Sequence, residues 1–132
     1  RYLYCLFLDR DNIKEGLKTI LKAIEHIKNG ISICVFPEGT RNKGDSDLEL
    51  LPFHEGSFKI AQKTGCPIVP IAINNSAEIF ENHLPKLKAC NVVVEYCKPI
   101  ILSELSKEDQ RRLGAYTQNI IRETLKKNQE LV

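Results

Sequence analysis

At 132 residues the chain has the length of one domain, enough for a single hydrophobic core. Hydrophobic residues make up 42% and charged residues 27%, which excludes a disordered or low-complexity chain, and a formal net charge of +2 argues for no nucleic acid partner. The apolar runs fall well short of the roughly 20 residues that a spanning helix needs, so no segment is expected to cross a membrane.

Residues 2–8 form a continuous apolar run of strand length that ends at Asp9-Arg10, the pattern of a strand buried on both faces. Asn12 followed by Glu15 reads as a capping box. Ile13, Leu17, Ile20, Leu21, Ile24 and Ile27 then recur at helical spacing until Gly30. Residues 31–36 read as a second buried strand, stopped by Pro37, which makes a strand, helix, strand unit with a parallel pair. A polar loop over residues 38–47 leads to a short helix at about residues 56–64, closed by Gly65. Residues 68–73 are the third strand, and residues 91–97 alternate as a half-exposed fourth. Ser106 with Asp109 caps a last helix, which buries Leu113, Tyr116, Ile120, Ile121 and Leu125. Its other face carries Arg111, Arg112, Arg122, Lys126 and Lys127.

This alternation predicts a single α/β domain over residues 1–132, a three-layer sandwich with a mostly parallel sheet. Ligands of such folds gather at the carboxyl ends of the strands. Asp9-Arg10, the stretch from Glu38 to Arg41, and Asn74-Asn75 all fall at those positions. The chain starts inside an apolar run and contains no methionine, so it is expected to be part of a longer protein, incomplete at its N-terminal side. Cys5, Cys34, Cys66, Cys90 and Cys97 are an odd set without a C-x-x-C pair, which suits a reduced, cytoplasmic-side protein whose thiols act as small hydrophobes.

The most informative stretch is Phe36-Pro37-Glu38-Gly39-Thr40-Arg41. Proline ends the strand, glycine permits a sharp turn, and an arginine then projects from a loop beside a hydroxyl and a carboxylate. A guanidinium forks onto phosphate through two parallel hydrogen bonds and stays charged at any working pH. Asp45, Asp47 and Glu49 lack the spacing of a calcium loop and are expected to be solvated.

Here the chain resembles the lysophosphatidate and glycerol-3-phosphate acyltransferases. Leu6-Phe7-Leu8-Asp9-Arg10 is similar to their second motif, Phe36 through Arg41 to their third, and Val69-Pro70-Ile71-Ala72-Ile73 to their fourth. The resemblance implies that Arg10 and Arg41 contact the acceptor phosphate and that Glu38 and Gly39 shape the site, Glu38 by orienting an arginine or bonding the acceptor hydroxyl; Thr40 can add a hydrogen-bond donor. The block Leu51-Pro52-Phe53-His54-Glu55-Gly56 also resembles the family, although many members carry lysine where this chain has His54. His54 is a further candidate for substrate binding.

The family's first motif, a histidine followed five positions later by an aspartate, supplies the general base. None of His26, His54 and His83 has that partner, so the resemblance places the base upstream of Arg1. It implies transfer of a fatty acyl group from acyl-CoA or acyl carrier protein to lysophosphatidate, giving phosphatidate. No metal or other cofactor is called for. Membrane contact is expected through upstream parts, at the cytoplasmic face of a membrane. Two alternatives stay open: another glycerophosphate acceptor, and a non-catalytic module that binds a phospholipid or phosphometabolite.

Overall fold

A computed structural model describes residue 6, residues 12–44 and residues 46–132. The first expected strand and Arg10 therefore lie outside the described residues.

Helix α1 (Ile13–Lys28) starts where Asn12 Oδ1 accepts from the Lys14 and Glu15 amides at 3.1 and 3.3 Å. Glu15 turns to Lys18 at 2.6 Å, so only one half of the expected capping box forms. The apolar stripe of α1 is less covered than its periodicity predicts: Ala23 is buried, Ile20, Ile24 and Ile27 are half-buried, and Ile13, Leu17 and Leu21 are exposed. Periodicity identifies a face; the neighbour that covers it is a separate matter.

Residues 31–36 correct the expectation of a buried second strand. They pair with no described strand, and Phe36 is 78% exposed. An apolar run becomes a strand only when a ladder partner takes its N–H and C=O groups.

Helix α2 (Glu55–Thr64) ends at Gly65, whose φ of +70 lets its amide close onto Ala61 O at 2.8 Å. The third and fourth strands form over shorter spans than expected, as β1 (Ile71–Asn74) and β2 (Val93–Tyr96). They pair antiparallel, with Ile71 opposite Tyr96 and Asn74 opposite Val93, and an isolated bridge between Ile68 and Ile100 extends the contact. The expected mostly parallel three-layer sheet is therefore not what the described residues form. Their sheet is two-stranded and antiparallel, within a mixed helix and strand framework. The chain reverses across residues 75–92 rather than crossing over through a helix, and strand periodicity does not encode that choice.

The last expected helix divides at Arg112, which leaves helical geometry at φ −113 and ψ 41, into α3 (Lys107–Arg111) and α4 (Leu113–Asn128). Ser106 caps α3 as expected, its Oγ accepting from the Asp109 amide at 3.1 Å. Helix α4 covers one face of the sheet: Asn74 Nδ2 donates to Leu125 O at 2.9 Å, while Lys127 and Asn128 bond Glu95 at 2.6 and 2.8 Å. The opposite face, with Ile73, Val94 and Tyr96, is exposed.

Phe58, Ile100 and Leu113 form the core cluster, surrounded by Phe53, Ile68, Tyr116 and Ile120. Leu113 is fully buried, so truncation to alanine would cost about 2–5 kcal/mol. This cluster ties α2 to α4, and α2 begins next to the loop that carries Arg41. Among the described cysteines none forms a disulfide; Cys34 is exposed and Cys66, Cys90 and Cys97 are half-buried, while Cys5 lies outside the described residues.

Candidate functional site

The loop from Phe36 to Arg41 is built as a turn. Gly39 N donates to Phe36 O at 3.0 Å, and Gly39 has a φ of +68, a left-handed conformation that makes the sharp turn expected of this glycine. A second segment holds this turn from one side. His54 N donates to Pro37 O at 2.9 Å, and Leu51 N donates to Glu38 Oε2 at 2.9 Å. The imidazole of His54 lies against Gly39, where a Cβ would stand 2.9 Å from Cδ2.

These contacts give Glu38 a role that residue type alone did not specify. Its carboxylate accepts a backbone hydrogen bond and staples two loops together. Thr40 and Arg41, the next two residues, are exposed, and Arg41 has no carboxylate or other bonded partner among the described residues. Such an arrangement offers a hydroxyl and an unneutralised guanidinium to an oxyanion. Of the six expected site residues, the structure brings together Glu38, Gly39 and His54 with Thr40 and Arg41 beside them; Arg10 lies outside the described residues.

Several supporting residues escaped the sequence reading. Gln118 Nε2 of α4 donates to Leu51 O at 2.7 Å, fixing the segment that grips Glu38. Glu55 Oε1 accepts from Gly114 N at 3.1 Å and joins the start of α2 to the start of α4. Asp47 Oδ2 accepts from Asn75 N at 2.6 Å and ties the far end of the polar loop to the end of β1, although the sequence suggested that this carboxylate is solvated. Asn42 Nδ2 also bonds Glu49 O within that loop. The first three join positions 28 to 67 residues apart, and no local signal announces them.

His54 is the N-cap of α2 without a side-chain capping bond; its ring is committed to the Gly39 contact. His83 is half-buried and bonds Glu78 Oε2 at 2.9 Å, while His26 lies on α1. Hydrogen bonds from Asn82 and His83 hold the Glu78 carboxyl below its ordinary range.

A braced turn that presents an exposed guanidinium, on a mixed helix and strand framework, is what this geometry defines. The chain belongs to the acyltransferase family, whose profile matches residues 1–74. The 1-acyl-sn-glycerol-3-phosphate acyltransferase of Salmonella typhimurium is 35% identical over 121 residues, 91% of this chain and 47% of that protein. Its counterpart of that name in Saccharomyces cerevisiae is 35% identical over 118 residues, 86% of this chain and 37% of that protein. The crystal structure of the 1-acyl-sn-glycerophosphate acyltransferase PlsC from Thermotoga maritima superposes with a TM-score of 0.69 at 27% identity, covering 85% of this chain and 44% of that one. The chain spans about half the length of the curated relatives it matches.

Proposed function

We propose that this chain is the acceptor-phosphate part of an enzyme that transfers a fatty acyl group from a thioester to lysophosphatidate, giving phosphatidate. The observation that carries the reading is the loop at Gly39: its turn, stapled through Glu38 and His54, leaves Thr40 and an unpaired Arg41 projecting together. The relatives named above act, by their names, on a glycerophosphate of this kind.

In this reading the acceptor hydroxyl attacks the thioester carbonyl, an ester C–O bond forms, and the C–S bond breaks. The proton passes through a base to the departing thiolate. Arg41, with Arg10, fixes the phosphate so that the hydroxyl is held near the carbonyl, a positioning effect rather than proton transfer. The base is the histidine that the family resemblance places upstream of Arg1. A lipid acceptor puts the protein at a membrane, and the reading assigns it to the cytoplasmic face. In the larger domain, residues 31–36 would join a parallel sheet that the described strands only border.

The test is acyl transfer by the full-length protein, with a thioester donor and lysophosphatidate, followed by thiol release and phosphatidate formation. Turnover that collapses in Arg41→Ala is expected. Phosphate binding without turnover would instead favour the non-catalytic module.

A further inference from the structure

Asn75 follows the last residue of β1 and takes a left-handed conformation, with φ 68 and ψ 20. A residue with a Cβ adopts this geometry at a cost, and asparagine is among the types that bear it best. Its amide lies beyond the final ladder pair, Asn74 with Val93, and so needs an acceptor from elsewhere. Asp47 supplies it: Asn75 N donates to Asp47 Oδ2 at 2.6 Å. Two further bonds hold Asn75 in place, Nδ2 donating to Asn91 O at 2.8 Å and the Cys90 thiol donating to Asn75 O at 3.9 Å.

Asp47 belongs to the loop that follows Arg41, and the loop's own bonds fix its shape. Asn42 Nδ2 donates to Glu49 O, Gly44 N to Asn42 Oδ1 at 2.9 Å, Leu48 N to Ser46 Oγ at 3.2 Å and Glu49 N to Ser46 O at 3.1 Å. Leu51 N on Glu38 Oε2, at 2.9 Å, closes the base. Among the described residues, the bonds of residues 42–50 stay inside the loop with one exception, that of Asp47. A loop that is stiff within itself and hinged at its base can still swing as a unit. One bond to the end of β1 removes that freedom. Arg41 stands between the base and Asn42, so the direction in which its guanidinium projects follows the swing.

We propose that Asp47 is a positioning residue for the acceptor: its bond to the Asn75 amide fixes the loop against the end of β1, and thereby where Arg41 meets a phosphate. The inference rests on the phosphate role of Arg41 proposed above. Asp47 is half-buried and its carboxylate is engaged by a backbone amide, so it acts through the loop. By charge alone a carboxylate near a phosphate weakens binding, whereas the tie strengthens it. The two effects have opposite signs, and two variants separate them.

Asp47→Ala removes both the charge and the acceptor atom, while Asp47→Asn removes the charge and keeps an oxygen for the Asn75 amide. In the full-length protein, Asp47→Ala should raise the KM for lysophosphatidate about 10-fold, with kcat and the KM for the thioester donor little changed. Asp47→Asn should recover most of that loss. Glycerol 3-phosphate, titrated into the same proteins and followed by NMR, should bind about 10-fold more weakly in Asp47→Ala and nearly normally in Asp47→Asn. Amide exchange at Asn75 reports the bond itself and should accelerate in the alanine variant. Circular dichroism checks folding. Asp47→Glu is the second variant if the alanine protein does not fold: it keeps the charge but is one methylene longer, and the displaced loop should raise the acceptor KM.

An acceptor KM that falls in both Asp47→Ala and Asp47→Asn would show a charge effect and overturn the proposal. So would an unaltered acceptor KM in folded variants whose Asn75 amide exchanges faster, because the tie would then serve stability alone. Glycerol 3-phosphate binding that is weakened by Arg41→Ala but not by Asp47→Ala sinks the role of Asp47 and leaves that of Arg41 standing. Binding that follows the expected order of variants in a protein that turns over no thioester supports the tie and removes only the acyl-transfer reading.

Discussion

The imidazole of His54 lies across the left-handed backbone of Gly39, so close that a Cβ there would stand 2.9 Å from Cδ2 and 3.1 Å from Nε2. Two costs therefore meet at one position, a φ of +68 and a neighbouring ring. Gly39→Ala should lower the unfolding free energy by about 1–2 kcal/mol through the backbone alone. His54→Ala should by itself change little, and the double variant should recover only the ring contact. Denaturant unfolding of the three variants separates the terms; a neutral Gly39→Ala would mean that the turn is not left-handed in solution.

Arg41→Lys keeps the charge but loses the planar fork. Loss of a charge-assisted bond worth roughly 1.5–3 kcal/mol should reduce acceptor kcat/KM about 10- to 100-fold in the full-length protein, with the KM for the donor little changed. Steady-state kinetics with each substrate varied in turn decides it, and unaltered acceptor kinetics would remove the phosphate role.

Among the described residues Glu38 bonds the Leu51 amide and no arginine. Glu38→Ala leaves that half-buried N–H without its acceptor and should cost about 1–3 kcal/mol, whereas Glu38→Gln keeps a carbonyl oxygen and should cost less. Amide exchange at Leu51 should accelerate in the alanine variant and much less in the glutamine variant. Equal protection in both would show that the staple does not hold the loop.

Hydrogen bonds from Lys127 and then Asn128 hold the Glu95 carboxyl below its ordinary pKa. A depressed folded pKa contributes stability that is fully present above the unfolded value and is lost as the pH falls through the folded one. Acid should therefore loosen the contact of β2 with α4, and Glu95→Gln should flatten the acid limb of the stability profile. Unfolding midpoints measured from neutral pH downward would show this; identical limbs in the two proteins would contradict it.

The elements legible in the sequence are those whose signals are local. Asn12 and Ser106 announce helix starts because their side chains reach amides two or three residues away, and Gly65 announces a helix end because its left-handed φ closes the last turn. The turn at Gly39 was legible for the same reason: proline, glycine and arginine in six consecutive residues dictate a turn that presents a cation.

Pairing and bracing were decided by the tertiary structure. The apolar pattern of residues 31–36 says that the segment can be a strand, yet it finds no partner among the described residues, while β1 and β2 pair antiparallel across a connection that no period predicts. Glu38, which the sequence left between orienting an arginine and touching the acceptor, is fixed on Leu51; the supporting bonds from Gln118 to Leu51 and from Gly114 to Glu55 span 67 and 59 residues. A side chain's type sets which bonds it can make. Which of them it makes depends on the groups that folding brings within about 3 Å, and sequence separation carries no information on that distance.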